Sequence, residues 1–253
     1  MTRRRFYTPP AAFAPDELSA TLGPEETRHL RDVLRLGSGD EVYAFNGAGR
    51  EFQCSVEAIA RDSTTLKVIS EVAPARPESP LNLTMAIALL KGEKFDLAIQ
   101  KLTELGVKSI SPVVTERADV RLKDSHDAEK RVARWRRIAL EAAKQTGRAF
   151  VPEILAPLRF SVLLEGPPPA SVPRLMFAER SGTSLAEATS GLLAPLTDMV
   201  ALVGPEGGWT DEEIELAGRD GWRIVTLGGR TLRAETAAIV VASLLQHRFG
   251  DLV

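Results

Sequence analysis

The sequence predicts an α/β protein with a mostly parallel sheet, preceded by a small N-terminal β-barrel, and three observations carry that reading. From Leu83 onward, apolar strand-like runs alternate with helical segments, the pattern of a parallel sheet covered on both faces. Before it lie short β-branched or aromatic runs separated by turn-forming residues. Between the two, Ala73-Pro74-Ala75-Arg76-Pro77-Glu78-Ser79-Pro80 has no apolar periodicity and reads as a linker. The expected division is a barrel over 1–73, a linker over 74–80 and an α/β domain over 81–253.

Each element has a local reason. A helix is expected from Pro24 to Leu36, with proline suited to its first turn and Gly37 to its stop. Strands follow over Asp40–Phe45, Glu51–Ile59 and Thr64–Val72, broken by Asn46-Gly47-Ala48-Gly49 and Arg61-Asp62-Ser63. In the second part, Leu83–Leu90 is an unbroken apolar strand and Phe95–Leu105 an amphipathic helix ended by Gly106. The strand Ile110–Val114, a long helix over Asp127–Thr146, and strands at Glu153–Leu155 and Leu175–Ala178 come next. Gly166-Pro167-Pro168-Pro169 reads as a stiff surface loop. A helix over Ser184–Leu193 leads to the strand Met199–Val203. Thr210 and Glu213 form a capping box that starts a helix running to Arg219. Ile224–Leu227 is the last strand and Ala234–Phe249 the last helix, apolar nearly all round. Such a helix is buried on more than one side, within the monomer or at a subunit interface.

Composition excludes several classes. No apolar run reaches the roughly 20 residues that cross a bilayer, and three arginines at the start have no apolar stretch behind them, against a secretory signal. One cysteine, Cys54, rules out an internal disulfide, and His29, His126 and His247 have no metal-ligand spacing. A cytoplasmic, metal-free protein is expected. The net charge of −2 hides a local surplus, because Arg117–Arg148 holds ten Lys/Arg against five Asp/Glu. That surplus suits a solvated helix face and an RNA contact equally.

The most informative segments are Gly204-Pro205-Glu206-Gly207-Gly208-Trp209 and Leu227-Gly228-Gly229-Arg230-Thr231-Leu232-Arg233-Ala234-Glu235-Thr236-Ala237. Each follows an apolar strand and precedes a helix, where ligands of parallel sheets bind. The first is not a P-loop, since no Gly-Lys-Ser/Thr follows and Glu206 would repel a triphosphate. The second lacks dinucleotide-fingerprint spacing. A cationic or zwitterionic nucleotide-like ligand fits the pair better than a polyphosphate. Taken singly, the first is also an ordinary tight turn, and Arg233 with Glu235 an ordinary ion pair at a helix start.

Together these two segments resemble the signature motifs of the RsmE family, the 16S ribosomal RNA uracil-N3 methyltransferases of the SPOUT class. Lys91-Gly92-Glu93-Lys94, Gln100-Lys101-x-Thr103-Glu104-Leu105-Gly106 and Glu141-Ala142-Ala143-x-Gln145-x-x-Arg148 with Pro152 agree, as do Arg5-Phe6-Tyr7 and His29-Leu30-x-x-Val33-Leu34-Arg35. The resemblance spans essentially the whole chain. It implies a PUA-like RNA-binding barrel, a SPOUT domain holding S-adenosyl-L-methionine in a C-terminal trefoil knot, and a homodimer acting on 16S rRNA of the small ribosomal subunit. It implies cofactor contacts at Ala178, Glu179, Val203, Gly204, Pro205, Glu206, Gly207 and Gly208, then at Leu227, Gly228, Leu232, Arg233, Thr236 and Ala237.

Methylating uracil N3 needs in-line positioning, removal of the imide proton and stabilisation of charge on the flanking carbonyl oxygens. Arg233 is the candidate for that stabilisation, and Glu206 and Glu235 are the candidate bases, unranked by sequence. Arg3, Arg4, Arg5, His29, Arg35, Lys91, Lys94, Gln145 and Arg148 are the expected RNA contacts. The other readings are a SPOUT 2′-O-ribose methyltransferase acting on tRNA or rRNA and a non-catalytic RNA-binding assembly factor.

Overall fold

The computed structural model describes residues 3–165, 172–192 and 195–252. The Gly166–Pro169 loop and Leu193 lie outside those residues, and the helix expected over Ser184–Leu193 already ends at Ala188, with Thr189 as its C-cap. Contacts group Met1–Glu78 with Leu140–Val151, and Ser79–Ala139 with Pro152–Val253.

The first unit is built on a five-stranded sheet. Its strands are β1 (Arg5–Tyr7), β2 (Ser19–Leu22), β3 (Glu41–Phe45), β4 (Glu51–Ile59) and β5 (Thr64–Val72), in the order β1-β3-β4-β5-β2. Its inward side chains, among them Phe6, Leu22, Val42, Phe52, Val56 and Leu66, form one core. The short strands β1 and β2 have no signal in the sequence. β1 runs parallel to β3, and Phe6 is fully buried there. The helix expected over Pro24–Leu36 stays α-helical only as α1 (Pro24–Arg28), then widens into a π-type turn over His29–Val33. The wider turn accommodates buried Leu30, and Arg35 then takes a left-handed φ of 54°. Cys54 is wholly buried in this core, and burial pushes its thiol up to about 11.

A buried ion cluster ties the edges of this unit. Glu51, wholly buried, accepts hydrogen bonds from Arg3 (2.9 Å), from Arg5 (3.0 and 3.1 Å) and from the Ala75 N–H (3.0 Å). Arg5 also donates to the Arg148 carbonyl at 2.9 Å, and the Arg148 guanidinium is held by Glu78 at 2.6 and 3.0 Å. A buried carboxylate needs such partners, and removing one would leave an uncompensated charge.

The second unit carries a seven-stranded sheet whose neighbours all pair in parallel. Along the chain come β6 (Asn82–Ala88), α2 (Glu93–Glu104), β7 (Ser109–Val114), α3 (Ser125–Thr146), whose residues from Leu140 on group with the first unit, then β8 (Glu153–Ile154), β9 (Leu158–Arg159), α4 (Phe160–Glu165) and β10 (Arg174–Phe177). Then come α5 (Leu185–Ala188), β11 (Asp198–Val203), α6 (Asp211–Arg219), β12 (Arg223–Val225) and α7 (Ala234–Phe249). The strand order is β12-β10-β11-β6-β7-β8, with β9 pairing to β7. The capping box forms as expected, with Thr210 and Glu213 exchanging hydrogen bonds at 3.1 Å. α7 buries Ala238, Val241, Ala242 and Leu245 while Ile239, Val240 and Leu244 keep part of their surface. No helix among the described residues is long and apolar enough to cross a membrane.

Candidate active site

Strand register creates the site. β10 lies between β11 and β12, with Phe177 opposite Val203 on one side and Val225 on the other. The three chains therefore leave the sheet at one rim, its carboxyl end, and enclose a cavity of about 390 Å³. That volume suits a small-molecule ligand.

The segment after β11 is packed down tightly. The Trp209 indole is 1% exposed, donates to the Phe177 carbonyl at 2.9 Å and packs on Phe160 with ring centres 5.4 Å apart. A Cβ on Gly204 would lie 2.6 Å from the indole nitrogen, so only glycine lets the backbone run against that ring. Gly208 has a φ of 69°, and a Cβ there would meet the Glu179 carboxylate at 2.6 Å. Arg180 pairs with Glu179 and with Asp211, the latter at 2.7 Å, and donates to the Trp209 carbonyl at 2.9 Å. Its hydrogen bond holds the Asp211 carboxyl below the usual range, and Asp211 in turn raises the guanidinium. At the rim, Glu206 is paired with Lys94 from the first turn of α2.

The segment after β12 begins firmly, with the Thr226 hydroxyl accepting from the Gly182 N–H at 3.1 Å. It then passes through Gly228 and Gly229, both with positive φ, and ends at Arg233, the N-cap of α7. Arg233 is exposed, and among the described residues it makes no ion pair, with Glu235 or otherwise. Glu235 is buried, with one carboxylate oxygen lacking a partner among the described residues.

Most residues expected at a cofactor line this cavity. Ala178, Glu179, Val203, Gly204 and Pro205 do, followed by Glu206, Gly207 and Gly208. Leu227, Gly228, Leu232 and Ala237 close the other wall. Arg233, Glu235 and Thr236 are outside the lining. Sequence reasoning missed Phe177, Trp209, Thr226, Gly229, Arg230, Thr231 and Ala234. Their adjacency to the quoted motifs was the available signal.

The expected RNA contacts divide by environment. Arg4, His29 and Arg35 are exposed on the first unit, where the His29 ring sits edge-on to Phe6 at 6.0 Å. Gln145 is exposed as well. Lys91 is exposed and Lys94 half-buried in its pair with Glu206. Arg5 is paired with buried Glu51, and Arg148, itself buried, with half-buried Glu78, while Arg3 is partly committed to Glu51.

A parallel sheet with a glycine-walled pocket at its carboxyl rim, in a chain with a small separate β unit, defines a class that sequence comparison names. Residues 77–246 match the family described as RNA methyltransferase domain, and residues 22–69 the RNA methyltransferase PUA domain. The chain is 36% identical over 224 residues to ribosomal RNA small subunit methyltransferase E of Synechocystis, covering 88% of this chain and 71% of that protein. Against the Bacillus subtilis protein of the same name it is 33% identical over 230 residues, 88% of each. The crystal structure of the Neisseria gonorrhoeae enzyme of that name, bound to S-adenosyl methionine, superposes with a TM-score of 0.85 at 31% identity over the full length of both chains. A Legionella pneumophila methyltransferase solved with bound SAM matches equally well, at 32% identity. The chain belongs to the ribosomal RNA small subunit methyltransferase E family.

Proposed function

We propose that this protein transfers a methyl group from S-adenosyl-L-methionine to N3 of a specific uridine in the 16S rRNA of the small ribosomal subunit, and that the cavity at the β10-β11-β12 rim holds the cofactor. Two family members are crystallised with that cofactor. The lining suits it chemically. Its charged residues are Glu179, Glu206 and Arg230, a balance that favours a cationic or zwitterionic ligand. Leu227, Leu232, Val203 and Ala237 offer apolar walls for a purine, and the space above Gly228 is open. When bound, the cofactor supplies an electrophilic methyl on a sulfonium.

The observation that carries the catalytic assignment is the placement of Arg233. N-caps favour Ser, Thr, Asp or Asn, and a helix start disfavours positive charge. Arg233 breaks both preferences at the start of α7, beside pocket-lining Leu232 and Ala234. Local rules broken without a structural gain mark functional positions. In this reading the guanidinium donates to a uracil carbonyl oxygen as the imide loses its proton. In the same reading Glu206, which lines the pocket and pairs with Lys94 at the rim, takes that proton once the pair opens. Glu235 lies outside the lining and complements the start of α7 instead.

The family resemblance adds a trefoil knot and a homodimer in the cytoplasm. The partly exposed Ile239, Val240 and Leu244 of α7 support the dimer as an apolar face suited to a second copy. Exposed Arg4, His29, Arg35, Lys91 and Gln145 are the proposed RNA contacts, with Lys94 at the pocket mouth. The test is methyl transfer from labelled cofactor to small subunits lacking the modification, followed by mass-spectrometric mapping of the product nucleotide. N3-methyluridine is expected, and a ribose 2′-O-methyl would overturn the assignment.

A further inference from the structure

The cofactor loop is gripped from a direction that its own strands do not explain. The segment after β7, residues 115–117, is docked on the start of α6, where the Glu116 N–H donates to Glu213 Oε1 at 3.0 Å. Glu213 is the same side chain that completes the capping box through its other oxygen. One residue on, Arg117 Nη1 donates to the Trp209 carbonyl at 3.1 Å and lies 3.4 Å from the Gly207 carbonyl. Gly207 is moulded to it, since a Cβ there would stand 3.1 Å from both the Cβ and the carbonyl oxygen of Arg117. The Trp209 carbonyl thus accepts from two guanidiniums, Arg117 on one side and Arg180 on the other, as its two lone pairs allow. Arg117 itself does not line the cavity.

We propose that Arg117 is a positioning residue of the methyltransferase, acting on the cofactor through the Gly207 and Trp209 peptides; the proposal rests on the cofactor reading above. The ligand meets this loop largely as backbone, so the orientation of its peptides sets which N–H and C=O groups face the cavity. The indole of Trp209 is anchored to Phe177, which leaves its carbonyl as the point where the outer end of the loop is aligned. Displacements of about 1 Å at such a site cost on the order of 10²-fold in rate.

The experiment compares wild type, Arg117→Ala, Arg117→Lys, Arg180→Ala and the double alanine variant. Cofactor Kd is read by calorimetry, Tm by thermal melting, and kcat and RNA KM by methyl transfer. Arg117→Ala is expected to weaken cofactor binding about tenfold, equivalent to about 1.4 kcal/mol, and to lower kcat, with RNA KM and Tm little changed. Arg117→Lys is expected to recover part of the loss, because an ammonium reaches one of the two carbonyls. The double variant is expected to lose less than the sum of the two single losses, since both arginines share one acceptor. An unchanged cofactor Kd with a raised RNA KM would overturn the proposal and make Arg117 an RNA contact. Cofactor affinity and Tm falling together, with no rescue by lysine, would reduce Arg117 to a fold-stabilising residue. Strictly additive losses would remove the shared brace. Failure of wild type to bind the cofactor at all would sink the proposed function instead.

Discussion

Two glycine-bearing loops wall one cavity, and they are built in opposite ways. Residues 204–209 are fastened at nearly every point: the indole under Gly204, Glu179 against Gly208, Arg117 against Gly207, and two guanidiniums on the Trp209 carbonyl. Residues 228–233 have little of this. A Cβ on Gly228 or Gly229 would meet nothing within 4 Å, and Arg230, Thr231 and Arg233 are exposed with no ion pair among the described residues. A loop with few buried contacts is the one whose conformation a ligand sets. The difference separates two tasks. In the proposed reading the fastened loop offers a preformed surface and carries Glu206, and the open one leads to Arg233, the group that meets the uracil carbonyl.

The comparison is broken most sharply at Arg233. Arg233→Ala is expected to lower kcat by about 10²–10³-fold, the usual loss of a charge-stabilising donor, with cofactor Kd and Tm nearly unchanged. Single-turnover methyl transfer beside calorimetry separates those quantities. A variant that binds cofactor poorly but turns over normally would place Arg233 in binding rather than chemistry. Gly204→Ala comes next and attacks the fastened loop. The new methyl would press on an indole that is buried and hydrogen-bonded, so overpacking of about 1–3 kcal/mol is expected. Cofactor affinity should fall by up to about 100-fold, since each 1.4 kcal/mol is tenfold. Tm should fall with it, because the same indole belongs to the core of this unit.

Much of the second unit was legible in the sequence because its signals are local. The capping box at Thr210, the largely apolar run of β6 and the bounds of α7 all follow from short-range patterns. The two loops were legible for the same reason, each being a strand end followed by a helix start. The unread parts depend on partners distant in sequence. β1 is three residues long and exists because it pairs with β3 some forty positions away. The widening at His29 comes from seating Leu30 in the core rather than from any helix-breaking residue. Arg5 and Arg148 look like any other basic residues until Glu51 and Glu78 are found beside them. Arg117 was counted only as part of a basic stretch, and its grip on a loop 90 residues away is visible only in three dimensions.

The smallest expected effect tests the open loop on its own terms. Gly228→Ala meets no steric obstacle, so any cost is conformational and comes from a φ of 73°. Holding an L-residue there costs about 1–2 kcal/mol. If the loop takes its shape only when ligand is present, the free protein avoids that strain by relaxing, and Tm without cofactor stays near wild type. The cost then falls on binding, as a loss of cofactor affinity of about 5–30-fold. Thermal melts with and without cofactor check this directly, because the stabilisation by bound cofactor should shrink while the unliganded Tm holds. A drop in unliganded Tm as large as that of Gly204→Ala would mean that both loops are held equally by the fold, and the contrast between them would dissolve.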